Sequence, residues 1–206
     1  MFNKNILKSI LLIGSAALLL VSCEKEYLDT APESSTSPAT IFSTTENAKL
    51  AINGICKMMS TQYLSKQGMN GEGTIKTWYA NCWGNDFQRC NLSGWHTLWN
   101  WEDGEVDTSM YNYYVWYYYY KLIGNANQVI ANIDDAEGPD SEKAFIKAQA
   151  LTYRAFAMFV GVQWWGKRYD YGQGGDNNEP NSGIVLRTDN SGEIKARSTD
   201  AEVYEQ

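Results

Sequence analysis

The sequence predicts an all-α fold built from helical hairpins, and three observations carry that prediction. Trp116, Tyr120, Ile123, Asn127, Ile130 and Ile133 follow one another at steps of three and four, the spacing of a single helix face. Phe145, Ala148, Thr152, Ala155, Phe156, Phe159 and Val162 form a second set of the same kind. Between them Gly138-Pro139-Asp140 ends one helix and caps the next. Two long helices joined by a short turn make an αα-hairpin, the unit of TPR-like solenoids. A lone hairpin cannot bury both of its faces. Further repeats are therefore expected, and the chain is too short to hold them.

The first helix is expected after Ser43-Thr44-Thr45-Glu46, which has the form of a capping box with Ser43 as cap. It should run to about Tyr63, with Ala48, Ile52, Ile55 and Met59 on its apolar stripe. Periodicity then breaks from Gln67 to Gly104, where glycines recur and Trp78, Trp83, Trp95, Trp99 and Trp101 are irregularly placed. Long irregular segments that are ordered usually carry function. The second helix opens with "YNYYVWYYYY", seven tyrosines and a tryptophan in ten residues. Successive helical residues turn by about 100°, so such a run cannot share one face and reads as core. Trp116, Tyr117 and Tyr120 should be buried, and the hydroxyls of Tyr111 and Tyr114, near the helix start, should remain accessible. In the third helix Phe156 and Phe159 should bury against the second, with Ala144, Ala148, Ala150, Ala155 and Ala157 allowing close approach.

The N-terminus reads as a targeting segment. Lys4 and Lys8 precede the apolar "ILLIGSAALLLV", too short for a confident spanning helix and typical of a secretory signal. Leu20-Val21-Ser22-Cys23 fits the lipobox, in which Cys23 is lipidated and becomes the new N-terminus. Residues 1–22 are then signal peptide, 23–42 a lipidated N-terminus with an extended Ser/Thr/Pro-rich tether, and 43–206 the helical domain. Cleavage leaves 15 basic residues against 24 acidic ones, a net charge of −9 in place of −7. So acidic a chain is a poor partner for nucleic acid or for an anionic membrane surface. Membrane attachment would come from acyl chains. Glu24-Lys25-Glu26 resembles the acidic tag that exports lipoproteins to the cell exterior.

Little in the sequence supports chemistry. His96 is the only histidine and no CxxC occurs, which argues against zinc. Cys82 and Cys90 are near enough in sequence to bridge a loop, with nothing to show that they do. The segment from Asp176 lacks the alternating ligands of an EF-hand and is interrupted by Pro180. Glu102, Asp103, Glu105 and Asp107 could pair as glycosidase carboxylates, although an acidic run in a loop is usually a solvated face. No cofactor motif is present.

Several stretches in register resemble the SusD/RagB family of outer-membrane nutrient-binding lipoproteins. Tyr27-Leu28-Asp29-x-x-Pro32 is similar to the family's start, and Ile41-Phe42-Ser43-Thr44 with Ala51-Ile52-Asn53-Gly54 to its first helix. Tyr120-x-x-Ile123-x-x-Ala126-Asn127-x-Val129-Ile130-x-x-Ile133 resembles its first repeat helix. Ala148-x-Ala150-x-x-x-Arg154-Ala155-x-x-x-Phe159, closed by Trp165-Gly166, resembles the partner helix. Gly183-Ile184-Val185-Leu186 and Arg197-Ser198-Thr199-x-x-Glu202-Val203-Tyr204 are similar to the turn and helix start that follow. Cys56 departs from the family's usual tyrosine, prolines often found after Gly166 and Gly183 are absent, and family members run to roughly twice this length.

The resemblance implies a surface lipoprotein, lipid-anchored in the outer membrane. It would capture an oligosaccharide or other nutrient and pass it to a TonB-dependent, SusC-like transporter, with no catalysis of its own. A peptide cargo and a secreted glycoside hydrolase fragment are the alternatives. Family members present ligand contacts in the region of "NDFQRCNLSGWHTLWNW", which here offers both rings and polar groups. Trp95, Trp99 and Trp101 are the candidate stacking rings, with Asp86, Arg89 and Asn100 as the polar partners. Tryptophans that only pin the loop to the helices would serve the same pattern.

Overall fold

The all-α expectation holds. A computed structural model describes residues 37–60, 71–84, 100, 102, 106–169 and 178–206. In chain order its elements are α1 (Pro38–Ile41), α2 (Thr45–Ser60), α3 (Gly71–Thr74), a π-helical turn (Ile75–Tyr79) and α4 (Ala80–Trp83). There follow α5 (Met110–Asn132), a 3-10 turn (Ile133–Asp135), α6 (Asp140–Trp165) and α7 (Asp200–Glu205). Among the described residues β-pairing is confined to one isolated bridge, Thr44 with Glu137. Residues from Pro38 to Gln206 form one packing unit, and none of the described helices is long and apolar enough to cross a membrane.

Helices α5 and α6 are the expected hairpin, and α2 lies across both. The turn between them is fixed by an exchange with the start of α2. Thr45 N donates to Glu137 O at 2.8 Å, and Glu137 N donates to Ser43 O at 2.9 Å. Gly138 adopts φ +141°, and a Cβ there would lie 2.3 Å from Thr45 Oγ1, so only glycine fits. This exchange also moves the cap of α2. Thr44 Oγ1, not Ser43, accepts from Asn47 N at 3.1 Å, while Ser43 Oγ donates to Thr40 O at 2.8 Å. The helix is described to Ser60, and Tyr63 lies outside the described residues. Its buried stripe is Ala48, Ile52, Ile55 and Met58, with Met59 half-buried at the edge. Pro38–Ile41, expected within the extended tether, is helix instead, and Phe42 behind it is core.

The tyrosine run is core, as its crowding implies, but with a different set of rings. Tyr111, Tyr114, Tyr118 and Tyr119 are buried with Val115, Leu122, Ala126 and Val129. Trp116, Tyr117 and Tyr120 are half-buried on the flank. The expected accessibility of Tyr111 and Tyr114 is therefore wrong. Glu72 packs against these rings, its Oε1 accepting from Tyr119 OH.

Helix α6 corrects the sequence reading more strongly. Its buried residues are Ile146, Ala150, Ala157, Met158, Val160, Gly161 and Val162; of the expected stripe Val162 is among them, whereas Phe145, Ala148, Thr152, Ala155 and Phe159 are exposed and Phe156 is half-buried. Phe159 is 51% exposed and does not pack into the hairpin. The reason is complementarity of size. Helix α5 contributes the large buried side chains Tyr118, Tyr119, Leu122 and Ile123, and the buried residues of α6 include the small Ala150, Ala157 and Gly161. Only Ala150 and Ala157 of the five expected alanines lie at that contact face.

Candidate functional site

Five of the six candidate ligand residues, Asp86, Arg89, Trp95, Trp99 and Trp101, lie outside the described residues, as does Cys23. Asn100 is described. It is exposed, and its amide donates to Glu102 Oε1 at 3.2 Å. Of the four carboxylates considered for hydrolysis, Glu102 and Asp107 are exposed, and Asp103 and Glu105 lie outside the described residues.

The two ends of the aromatic segment are fixed on α5. At the leading end, Gly71 takes φ +59° because a Cβ would stand 2.2 Å from Met59 O. That places Glu72 against the tyrosines. Tyr119 OH donates to Glu72 Oε1 at 3.0 Å, and Lys76 reaches the same oxygen at 3.3 Å. The hydroxyls of Tyr114 and Tyr118 and Glu72 Oε2 are buried beside them and make no hydrogen bond of standard geometry. Burial, reinforced by the neighbouring Glu72 carboxylate, pushes the ionisation of all three tyrosines above its ordinary range. Ile75 and Cys82 are buried under this end, and the Cys82 thiol is free, its pKa raised by burial. The π-helical turn follows at once, a form of backbone frequent at functional sites. At the trailing end, Val106 O accepts from Asn112 Nδ2 at 2.9 Å and from Ser109 N at 3.1 Å. Ser109 caps α5 through Tyr111 N.

On the opposite side of α5 three polar residues of the repeat motifs act as a clamp. Tyr120 OH donates to Val185 O at 2.8 Å. Asn127 is buried, and its amide nitrogen donates to the carbonyls of Arg187 (2.9 Å) and Asp189 (3.1 Å). Arg154 Nη1 donates to Asn127 Oδ1 and to Thr188 O, each at 3.1 Å. The chain after α6 is thereby held extended along the hairpin. Further on, Gly183 and Ile184 exchange backbone bonds with Ser198, and Arg197 donates to Gly183 O at 2.7 Å and to the Trp165 carbonyl at the end of α6. A cation there also opposes the negative end of the helix. Helix α7 begins with a complete capping box between Thr199 and Glu202.

These features define an all-helical, hairpin-built protein with an aromatic segment fixed at both ends on one helix. Residues 26–206 match the model of the SusD-like family described as starch-binding and associating with the outer membrane. The chain belongs to that family. No curated protein sequence matches it. The crystal structure of a SusD-like carbohydrate binding protein from Bacteroides vulgatus superposes with a TM-score of 0.66 at 23% identity, covering 80% of this chain. This chain spans about a third of that protein, 33% of its length.

Proposed function

We propose that the protein captures an oligosaccharide at the outer membrane and delivers it to a TonB-dependent, SusC-like transporter, acting by binding alone. The family match over residues 26–206 carries this reading. The lipobox at Leu20-Val21-Ser22-Cys23 supports attachment through Cys23, and Glu24-Lys25-Glu26 supports presentation at the cell exterior. Trp95, Trp99 and Trp101 are proposed to stack against sugar rings, with Asp86, Arg89 and Asn100 bonding hydroxyls. Each such hydrogen bond contributes about 0.5–1.5 kcal/mol net, and more where the partner is charged. The sum suits a carrier that must release its cargo. Glu72 and Val106, on either side of that segment in sequence, are held on α5, which supports a preorganised site and a lower entropy cost of binding.

Single alanine variants of Trp95, Trp99 and Trp101 test the site. A binding residue loses oligosaccharide affinity with its melting temperature unchanged, whereas a packing residue loses several degrees. If all three behave as packing residues, the site is elsewhere. Cys23→Ala tests the anchor: lipid labelling should disappear and the protein should leave the membrane fraction. Continued labelling would refute lipidation at Cys23.

A further inference from the structure

The face that α6 turns to solvent is built like a contact surface. Phe145, Ala148, Thr152, Ala155 and Phe159 are all exposed and step by three, four, three and four, the spacing by which one helix packs along another. Phe145 is 63% exposed, and Leu151 beside the stripe is 40% exposed. The Thr152 hydroxyl is spent within its own helix, Oγ1 donating to Ala148 O at 2.9 Å. Of the exposed residues of α6 only Asp140, at its start, is charged. A surface helix ordinarily puts its charges on that face. Here they sit on the flanks and are engaged: Lys147 with Asp134, Arg154 with Asn127 and Thr188, Glu142 with Thr45 and Lys49. An uncharged stripe rimmed by polar groups marks an interaction surface.

The stripe fits its own copy. Phe145 and Phe159 each lie seven residues from Thr152, so a twofold axis there brings Phe145 of one protomer to Phe159 of its partner, twice over. Ala148 and Ala155 thin the middle and let the two backbones approach. The ends of the helix complement each other too. Asp140, its side chain wholly exposed, starts α6, while Lys167 and Arg168, both exposed, follow its end. Antiparallel pairing sets acid against base and opposes the two helix dipoles. A parallel pair would set like against like, on chains of net charge −7. A second hairpin also supplies the stacking neighbour that a single hairpin lacks.

We propose that this stripe joins two copies of the chain, α6 packed antiparallel on α6 about a twofold axis at Thr152. Phe145 and Phe159 form the two ends of the contact, with Tyr204, its ring 6.2 Å from that of Phe159, at the edge. One helix pair is a small contact beside a standard interface of about 1,600 Å². The pairing is accordingly weak, and trapping reads it best. The inference is independent of the glycan-capture reading.

Oxidative cross-linking of the intact protein with copper phenanthroline tests it, read as a band at twice the monomer mass on non-reducing electrophoresis. The unaltered chain, in which Cys56 is exposed, and Gln128→Cys on the exposed face of α5 set the background. Thr152→Cys, at the axis, gives at least tenfold more dimer than either, because the two α-carbons stand within disulfide reach only there. Adding Phe159→Lys to Thr152→Cys returns the yield to background with the melting temperature unchanged. Phe145→Cys mixed with Phe159→Cys cross-links, whereas each alone does not. A Thr152→Cys yield no higher than background would overturn the proposal, as would a yield that Phe159→Lys leaves unaltered. Cross-linking of Phe145→Cys alone would overturn the antiparallel arrangement. Capture of Thr152→Cys by a different protein would assign the stripe to that partner and likewise overturn it. None of these outcomes touches glycan binding, so the capture reading is judged separately.

Discussion

Arg154 on α6 donates from Nη1 to the side-chain oxygen of Asn127 on α5, 3.1 Å away, and this bond joins the hairpin to the chain that follows it. Asn127 completes the joint with two bonds to the carbonyls of Arg187 and Asp189. A buried polar residue in a helix core is costly unless every group is paired, and this one is. Asn127→Ala removes three side-chain bonds, taking the shared donor from two carbonyls and leaving Arg154 its bond to Thr188 O. We expect a loss of about 2–4 kcal/mol in urea denaturation. A loss below about 1 kcal/mol would mean that the 187–191 segment is not held by this residue.

The size complementarity of the hairpin gives a second expectation. Leu122 is fully buried at the face of α5, so Leu122→Ala should cost about 2–5 kcal/mol. Phe159, 51% exposed with the Tyr204 ring centroid at 6.2 Å, should cost less than about 1 kcal/mol when truncated. Reversal of that order in chemical denaturation would restore the large-residue stripe of α6 to the core.

A third expectation concerns pH. Thr45 Oγ1 donates to Glu142 Oε2 at 2.7 Å and Lys49 Nζ lies 3.0 Å from the same oxygen, so the Glu142 carboxyl is held below its ordinary value, first by Thr45 and then by Lys49. A depressed carboxylate contributes stability that is present above its unfolded value of about 4.3 and lost as pH falls through the lower folded value. Glu142→Gln should therefore lower the melting temperature at pH 7, and the gap should close on acidification below about pH 4. A gap that persists unchanged at pH 3 would assign the effect to packing.

How far the sequence could be read depended on what each residue's neighbours were. The hairpin was legible because three- and four-residue steps and Gly138-Pro139 are local signals. The face of α6 was not, since Phe145 and Phe159 look buried until the bulk of α5 claims the interface. The cap of α2 shifted by one residue because the bond between Thr45 and Glu137 is long-range. At the candidate site, Trp95, Trp99 and Trp101 stand in aperiodic sequence, where spacing says nothing of direction. The roles of Glu72 and Asn127 were equally invisible as ligand-site geometry. A single carboxylate three residues before the π-helical turn, and an asparagine on an apolar stripe, acquire meaning only from the tyrosines and carbonyls opposite. One signal was available: an asparagine within a hydrophobic helix face asks for a buried partner, and Arg154 on the next helix supplies it.

The central claim is that this chain binds glycan and does not cut it. The direct measurement is calorimetry of the intact protein against a panel of neutral and acidic oligosaccharides, with each ligand's chain length determined by chromatography after prolonged incubation. The account predicts saturable binding of at least one oligosaccharide, recovered at its original length. Shortened products, or no heat of binding with any member of the panel, would contradict it.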